Sequence, residues 1–257
     1  MKGETLSLEG GYRRAAGTVV HLFDGPFVTI EERRFDVPEG SKRLLAFVAL
    51  RQRRVERRYA SGTLWPLGDD HRAAGNLRSA LWRLRGAGID ILSADKWSLS
   101  LMEHVEVDAQ LMLGWAERII NGAVGPCDLA VVPQHVDALD LLPGLYDDWA
   151  IMERERVRQR MLHALEMLSR RLVSVGRFAD AIEAALMAIS ADPLRESAQR
   201  ALIEAHVAEA NWGEARRSYE SYRDLVRHEL GVDPSRDLTA FVERRVGVFG
   251  RSMASTG

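Results

Sequence analysis

The sequence predicts a mixed α+β domain at the amino terminus, followed by an all-α domain built of helical hairpins. Short runs rich in Val, Thr, Leu and Phe, separated by Gly-Gly and Gly-Pro pairs, precede Pro38 and favour strands. Helical spacing of apolar residues begins after Gly40 and is almost continuous from Asp108 onward. A chain of 257 residues has room for two domains, which we place at residues 1–106 and 107–257.

Charge is divided unevenly between the two parts of the chain. Residues 1–104 carry 17 basic and 13 acidic side chains, whereas the remainder carries 18 basic and 24 acidic ones. Residues 41–85 concentrate eleven basic against three acidic side chains, a net charge of +8 in a protein whose net charge is −2. A basic patch on short helices indicates a polyanion partner, and double-stranded DNA is the one expected.

Composition argues against several other classes of protein. The single cysteine, Cys127, permits no intramolecular disulfide or cysteine-rich metal site, and we interpret it as incidental rather than nucleophilic. The amino terminus lacks the apolar core of a signal peptide, and no apolar run approaches the roughly 18 residues of a membrane span. We therefore expect a cytoplasmic protein without a membrane partner.

The amino-terminal elements follow in order. Three strand-like runs, TLSLE (5–9), VVHLF (19–23) and FVTIE (27–31), predict a small antiparallel sheet. Three helices are then predicted at about 41–52, 57–65 and 71–86. Ser41 is positioned to cap the first helix, and Trp65-Pro66 ends the second because proline cannot continue the helical ladder.

The third helix has two distinct faces. Its buried stripe is predicted to consist of Ala73, Ala74, Leu77, Ala80, Leu81 and Leu84. The opposite side carries Arg72, Gly75, Ser79, Trp82 and Arg83, with Asn76 and Arg78 on its flanks. Arginine can bind guanine and asparagine can bind adenine through paired hydrogen bonds, so this face suits the major groove. The alternative is a solvated helix whose arginines only keep the protein soluble.

A hairpin after the third helix strengthens the DNA-binding interpretation. The runs IDILS (89–93) and WSLSL (97–101) are joined by Ala94, Asp95 and Lys96, and together with the helices they predict a winged helix-turn-helix. In that geometry Lys96 can reach a neighbouring groove or the backbone, while Arg57 and Arg58 lie near phosphates. We expect Trp97 to be a packing residue of the wing.

The second half is predicted to be helical, beginning with a helix over residues 108–121 that Asp108 caps. A long helix is entered through Pro143-Gly144 and ends at Gly176. Further predictions are an Asp192-Pro193 cap that opens a later helix, and a helix end at Gly231 and Pro234.

An internal repeat predicts the packing of these helices. Phe178 and Ala181 recur as Trp212 and Ala215, an offset of 34 residues that is typical of tetratricopeptide repeats. Stacked helical hairpins form concave binding surfaces. The sequence holds no HExxH, GxxxxGK[ST] or GxSxG motif, so we expect no enzyme, no cofactor and no metal site.

Several segments together carry a family resemblance. LLAFVAL, NLRSALWRLR, LLPGLYDDWAIMERERVR and YRDLVRHELGVDPS resemble transcriptional regulators of the Streptomyces antibiotic regulatory protein type. The resemblance implies a winged helix-turn-helix joined to a bacterial transcriptional activation domain, with the third helix in the major groove of promoter repeats. Carried over by position, its recognition residues are Arg72, Asn76, Arg78, Ser79 and Arg83. The sequence departs from this pattern at Ala74 and Gly75, where many relatives carry polar or basic residues.

The resemblance further implies a bacterial activator that contacts RNA polymerase and is nucleoid-associated when bound. Many relatives carry a downstream nucleotide-binding domain, but this sequence ends at Gly257, so we expect no ATPase step. We also consider a homodimer formed through the helical domain. The competing hypothesis is a protein-interaction adaptor whose winged domain has lost DNA binding, which Gly75 and the low overall charge favour.

Overall fold

The computed structural model describes residues 17–51, 54–129 and 141–253. Within these ranges a small α+β region precedes a helical region, and the predicted fold class is confirmed. The predicted strand at residues 5–9 lies outside the described residues.

The strands form two small sheets. Their bounds are β1 Thr18–His21, β2 Phe27–Ile30, β3 Arg33–Asp36, β4 Val55–Glu56, β5 Leu92–Ala94, β6 Ser98–Leu101 and β7 Val105–Val107. The first sheet has the order β3-β2-β1-β7, with β1 antiparallel to β2 and parallel to β7. The second has the order β4-β6-β5 and contains the hairpin expected after the third helix. Three of these strands, β3, β4 and β7, are short and partly charged and were not predicted from the sequence.

The helices largely follow the predicted order. Their bounds are α1 Glu39–Ala49, α2 Arg57–Leu64, α3 Asp70–Gly86, α4 Asp108–Ile120, α5 Asp148–Ser174, α6 Phe178–Ala191, α7 Glu196–Ala208, α8 Trp212–Leu230 and α9 Arg236–Met253. Two predicted caps are wrong. Ser41 is buried inside α1, where its Oγ donates to the Ala80 carbonyl at 2.9 Å. Asp192 follows α6 as its C-cap, and α7 begins only at Glu196.

Contacts divide the chain into two compact units. The first comprises residues 1–115 and 138–158, and the second comprises residues 116–137 and 159–257. The boundary at 115/116 falls within α4, and the boundary at 158/159 falls within α5. Residues 141–158 join the first unit through hydrogen bonds: the Leu142 N–H donates to the Leu22 carbonyl at 2.9 Å. The Arg154 guanidinium binds the Leu141 and Leu142 carbonyls at 2.8 and 2.9 Å. The domain bounds 1–106 and 107–257 stay a prediction.

The second unit shows the predicted 34-residue repeat as two helical hairpins. Phe178 opens α6 and Trp212 opens α8, while Ala181 and Ala215 are fully buried at the equivalent positions. These small side chains let neighbouring helices approach closely. Gly231, with a φ of 68°, caps α8 as predicted, because the left-handed conformation there favours glycine.

Candidate nucleic-acid interface

The helix-turn-helix of the first unit consists of α2, a turn at residues 65–69 and α3. Asp69 begins α3 as its N-cap, since its carboxylate accepts the Arg72 N–H at 2.7 Å. The predicted buried stripe is present: the buried side chains of α3 are Ala73, Leu77, Ala80, Leu81 and Leu84, whereas Ala74 is half-buried. This stripe fixes which side of α3 remains available to a partner.

The outer face of α3 contains Arg72, Ser79 and Trp82, with Arg78 at its edge, and all four are exposed. Trp82 is 73% exposed. Gly75 and Asn76 lie on the same side and are half-buried. Among the described residues, we find no hydrogen bond or ion pair made by the side chains of Arg72 and Arg78. The structure therefore brings together most of the residues that the sequence assigned to the major groove.

Arg83 has a different environment from the other predicted residues of α3. Its Nη2 donates to the Gly40 carbonyl at 3.0 Å, so the guanidinium lies against the first turn of α1. Its Nε is buried and has no hydrogen-bond partner among the described residues. A β-carbon at Gly40 would come within 2.9 Å of Nη2, which shows how closely the two pack. Arg83 thus links α3 to α1, and its DNA contact stays a prediction.

The two arginines at the start of α2 also have partners within the protein. Arg58 forms an ion pair with Asp70 at 2.9 Å, and both side chains are 81% exposed. The Arg57 Nη1 donates to the carbonyl oxygen of Asp95 at 3.1 Å. Their exposure leaves them within reach of phosphates, but a phosphate would have to compete with these partners.

The wing, defined as the β5–β6 hairpin with its turn at Asp95, Lys96 and Trp97, is held to the start of α2. The Asp95 carboxylate accepts the N–H groups of Trp97 and Ser98, both at 2.7 Å. These two bonds hold the pKa of Asp95 below its usual value. The Arg54 guanidinium forms an ion pair with the same carboxylate, and the Arg57 N–H donates to the Trp97 carbonyl at 2.8 Å.

The expectation that Trp97 packs within the wing is wrong, because the residue is 72% exposed. The Lys96 Nζ lies 4.9 Å from the centroid of its ring. Arg54, Asp95, Trp97 and Trp82 were not among the predicted site residues. An Asp before a short polar turn is a recognisable sign of a side-chain-to-backbone turn, and could have identified Asp95.

Asp108 is the strongly perturbed carboxyl of the first unit. It accepts the Leu22 N–H at 2.9 Å and the Ala109 N–H at 2.6 Å, which agrees with its predicted position at the start of α4. Burial raises its pKa to about 6, against the opposing effect of these backbone donors. The His21 Nδ1 lies 3.9 Å away, and burial lowers the pKa of this imidazole. The role of Asp108 is to join β1 to α4.

The second unit contains a groove of about 350 Å³. Its apolar lining comes from Leu186, Ile189, Leu202, Tyr222 and Leu225. Among the described residues, no group of His, Cys, Asp and Glu side chains is arranged to hold a metal ion. No helix in the described ranges combines the length and apolarity needed to cross a membrane.

Comparisons with known proteins agree with this architecture. The family model described as "Bacterial transcriptional activator domain" matches residues 135–244. The solved structure "Mycobacterium tuberculosis EmbR in complex with low affinity phosphopeptide" has a TM-score of 0.65 and 20% sequence identity, covering 89% of this chain. The chain spans 65% of the length of that EmbR chain. Among curated proteins, none matches the sequence.

The structural likeness shows the fold of both units, and the family match identifies the helical one. The chain carries a bacterial transcriptional activator domain at residues 135–244, and its fold, including the winged amino-terminal unit, is that of the EmbR structure.

Proposed function

We propose that the protein binds double-stranded promoter DNA with sequence preference through α3 and activates transcription by contacting RNA polymerase. The observation that carries this proposal is the outer face of α3, where exposed Arg72, Arg78 and Ser79 lie opposite a buried apolar stripe. Guanidinium and hydroxyl groups on one accessible helix face provide the donors and acceptors that base edges and phosphates require. Such a protein acts in the cytoplasm and associates with the nucleoid when bound.

The proposed contacts divide into two groups. Arg72, Asn76, Arg78 and Ser79 face the bases or walls of the major groove, and Arg57, Arg58 and Lys96 hold phosphates. Arg83 would have to leave the Gly40 carbonyl before it could reach DNA. Arg78 is therefore the sharper test of the α3 assignment, because its replacement removes no hydrogen bond or ion pair within the described part of the protein.

The helical unit is the proposed site of the RNA polymerase contact and of homodimerisation. Its stacked hairpins support a protein-binding role, since such arrays present extended surfaces between repeats. The groove between α6, α7 and α8 is the concave part of this surface.

The test is a selection of bound fragments from genomic DNA with purified protein at two salt concentrations. We expect an enriched motif, and an Arg78→Ala variant should bind it roughly 10-fold more weakly with relaxed preference, the effect of losing one base contact. Arg216→Ala is the matched control, because this exposed arginine of the helical unit forms an ion pair with neighbouring Glu220. If Arg78→Ala binds like the parent, the α3 assignment is wrong.

A second candidate function is the protein-interaction adaptor. The observation in its favour is that Arg57, Arg58 and Arg83 all bind groups within the protein, while Asp69 and Asp70 place two carboxylates at the start of α3. The same selection distinguishes the two functions. An absence of any enriched motif, with DNA binding no tighter than that of an unrelated acidic protein, would support the adaptor.

A further inference from the structure

The tip of the wing presents a large aromatic side chain to solvent. Trp97 is 72% exposed and lies in a three-residue turn between β5 and β6. Exposed tryptophans are unusual in proteins and are enriched at contact surfaces, where one ring buries a large area with little loss of conformational freedom. The ring therefore contributes little to the packing of the wing and is available to a partner.

The backbone that carries Trp97 is held at several points. Its N–H donates to the Asp95 carboxylate at 2.7 Å, and its carbonyl accepts the Arg57 N–H at 2.8 Å. Arg57 also donates from Nη1 to the Asp95 carbonyl at 3.1 Å, which ties the turn to the first residue of α2. A partner that binds this turn does not have to order it first, so little binding energy is lost to entropy.

The charges around the turn select the class of partner. Arg54, Arg57 and Lys96 carry three positive charges around the turn, against the carboxylates of Asp95 and of Glu56, which lies opposite Ser98 on β4. The Lys96 ammonium lies over the Trp97 ring, 4.9 Å from its centroid, so the cation covers one face and the rest of the apolar ring is left to a partner. The sugar-phosphate backbone of DNA has the complementary arrangement, with an anionic phosphate beside the apolar face of a deoxyribose.

We propose that Trp97 contacts DNA, packing its ring on deoxyribose and exposed base edges while Lys96 binds the adjacent phosphate. This inference rests on the proposed function and adds to it a contact whose strength depends little on salt. A cation contact weakens as salt rises because bound counterions are released, whereas an aromatic contact releases none. The two neighbouring residues therefore have separable effects on binding.

The test compares Trp97→Ala, Trp97→Phe and Lys96→Ala with the parent by fluorescence anisotropy, on a labelled duplex of about 30 base pairs taken from the selected fragments. Trp97→Ala should weaken binding about tenfold at every salt concentration and leave the salt slope unchanged, while Trp97→Phe should stay within about threefold of the parent. Lys96→Ala should instead reduce the magnitude of the slope by about 0.9.

Tyr146→Ala is the matched control, because this tyrosine of the first unit is 79% exposed and belongs to no proposed DNA contact. The Tyr146→Ala variant should bind the duplex as tightly as the parent. All four variants should keep the parental melting temperature. Parental affinity in Trp97→Ala would overturn the proposal and leave the ring to a protein partner. A lower salt slope in Trp97→Ala would also overturn it, since the ring would then act only by placing Lys96. Failure of the parent itself to bind any fragment would instead refute the proposed function.

Discussion

One ion pair of the winged unit and one of the helical unit differ sharply in their exposure to water. Arg58 and Asp70, which join α2 to α3, are each 81% exposed, whereas the side chains of Glu166 and Arg195 in the helical unit are 3% and 19% exposed. The buried pair is also part of a network. Glu166 accepts from Arg195 at 2.5 Å and from the Ser197 hydroxyl at 2.7 Å. The protein thus holds one arginine–carboxylate pair in water and another in its interior.

The exposed ion pair can exchange its carboxylate for a phosphate, whereas the buried pair cannot be broken in this way. Water and salt screen an exposed pair, which contributes about 0–1 kcal/mol to stability and can give up its cation to a phosphate. A buried pair cannot lose one partner without leaving an uncompensated charge in a medium of low polarity. The exposed pair is suited to a surface that binds DNA, and the buried pair fixes α5 against the residues that begin α7.

The largest expected effect comes from breaking the buried pair. Arg195→Met should lower the free energy of unfolding by about 3–5 kcal/mol, because Glu166 remains buried without its cation. Urea denaturation followed by circular dichroism measures this loss. The matched control is Arg216→Met, which removes an exposed arginine from its pair with Glu220 and should cost less than about 1 kcal/mol.

A double variant shows whether the charge, rather than the volume, is responsible. Glu166→Leu combined with Arg195→Met should recover most of the loss, since apolar side chains of similar size replace both charges. A loss below about 1 kcal/mol in Arg195→Met alone would show that the contrast in exposure has no energetic counterpart.

Asp108 of the winged unit is a buried carboxylate of a different kind, because backbone N–H groups rather than an arginine bind it. Its pKa in the folded protein is about 6, above the ordinary value of 3.8. The folded state therefore binds this proton more tightly, and the resulting stability is fully present below pH 3.8 and is lost as pH rises through 6. The loss amounts to about 3 kcal/mol.

In Asp108→Asn this decline should disappear, because the amide is neutral throughout. Urea denaturation of both proteins from pH 4 to 7 provides the measurement. His21, whose pKa burial lowers, lies 3.9 Å from this carboxylate and responds to its removal, so both proteins are also compared in a His21→Gln background, where only residue 108 differs. Parallel pH profiles would contradict the prediction.

Periodicity predicted the parts of the fold that depend on local spacing. The α3 stripe from Ala73 to Leu84 and the offset between Ala181 and Ala215 both follow from the helical repeat. Contacts between distant residues could not be predicted in this way. Glu166 and Arg195 are 29 residues apart, and Arg83 and Gly40 are 43 apart.

The wrong predictions for Ser41 and Trp97 have the same origin, because local sequence does not show what the folded chain brings near a residue. Ser41 carries the expected residue type, but tertiary packing brings the Ala80 carbonyl to its hydroxyl and the helix begins before it. Trp97 was assigned to packing because most tryptophans are largely buried, and only the structure shows its ring exposed. Sequence spacing therefore identified the faces of the candidate interface, but not which of its arginines already have partners within the protein.

Replacement of Gly75, on the outer face of α3, should change the free energy of unfolding by an intermediate amount. A β-carbon there would meet only the Arg78 Nη2, at 3.8 Å, so alanine fits without displacing anything. Gly75→Ala should raise the free energy of unfolding by about 1 kcal/mol, since glycine in a helix interior loses more backbone freedom on folding. Thermal denaturation measures the gain. If this glycine is needed for close approach to DNA, the same variant will bind the selected fragment more weakly, and unchanged binding would exclude that role.

The smallest change in stability is expected from Asp70→Asn, which leaves Arg58 without its exposed partner. The loss should stay below about 1 kcal/mol, because the pair is screened and Asp70 contributes little more than favourable charge at the start of α3. DNA binding should change more clearly. Arg58 becomes free to neutralise a phosphate, so the salt slope should steepen by up to about 0.9. Anisotropy titrations at several salt concentrations measure it.

Asp90→Asn is the matched control for this exchange, because it frees Arg85 from another exposed pair, 3.2 Å long, at the carboxyl end of α3. If the phosphate contact belongs to the start of α2, only Asp70→Asn will steepen the slope. An equal change in both variants would mean that nonspecific charge, rather than the position of Arg58, governs binding. No change in either would mean that Asp70 does not keep Arg58 from a phosphate, so the exposed ion pair would not compete with DNA binding.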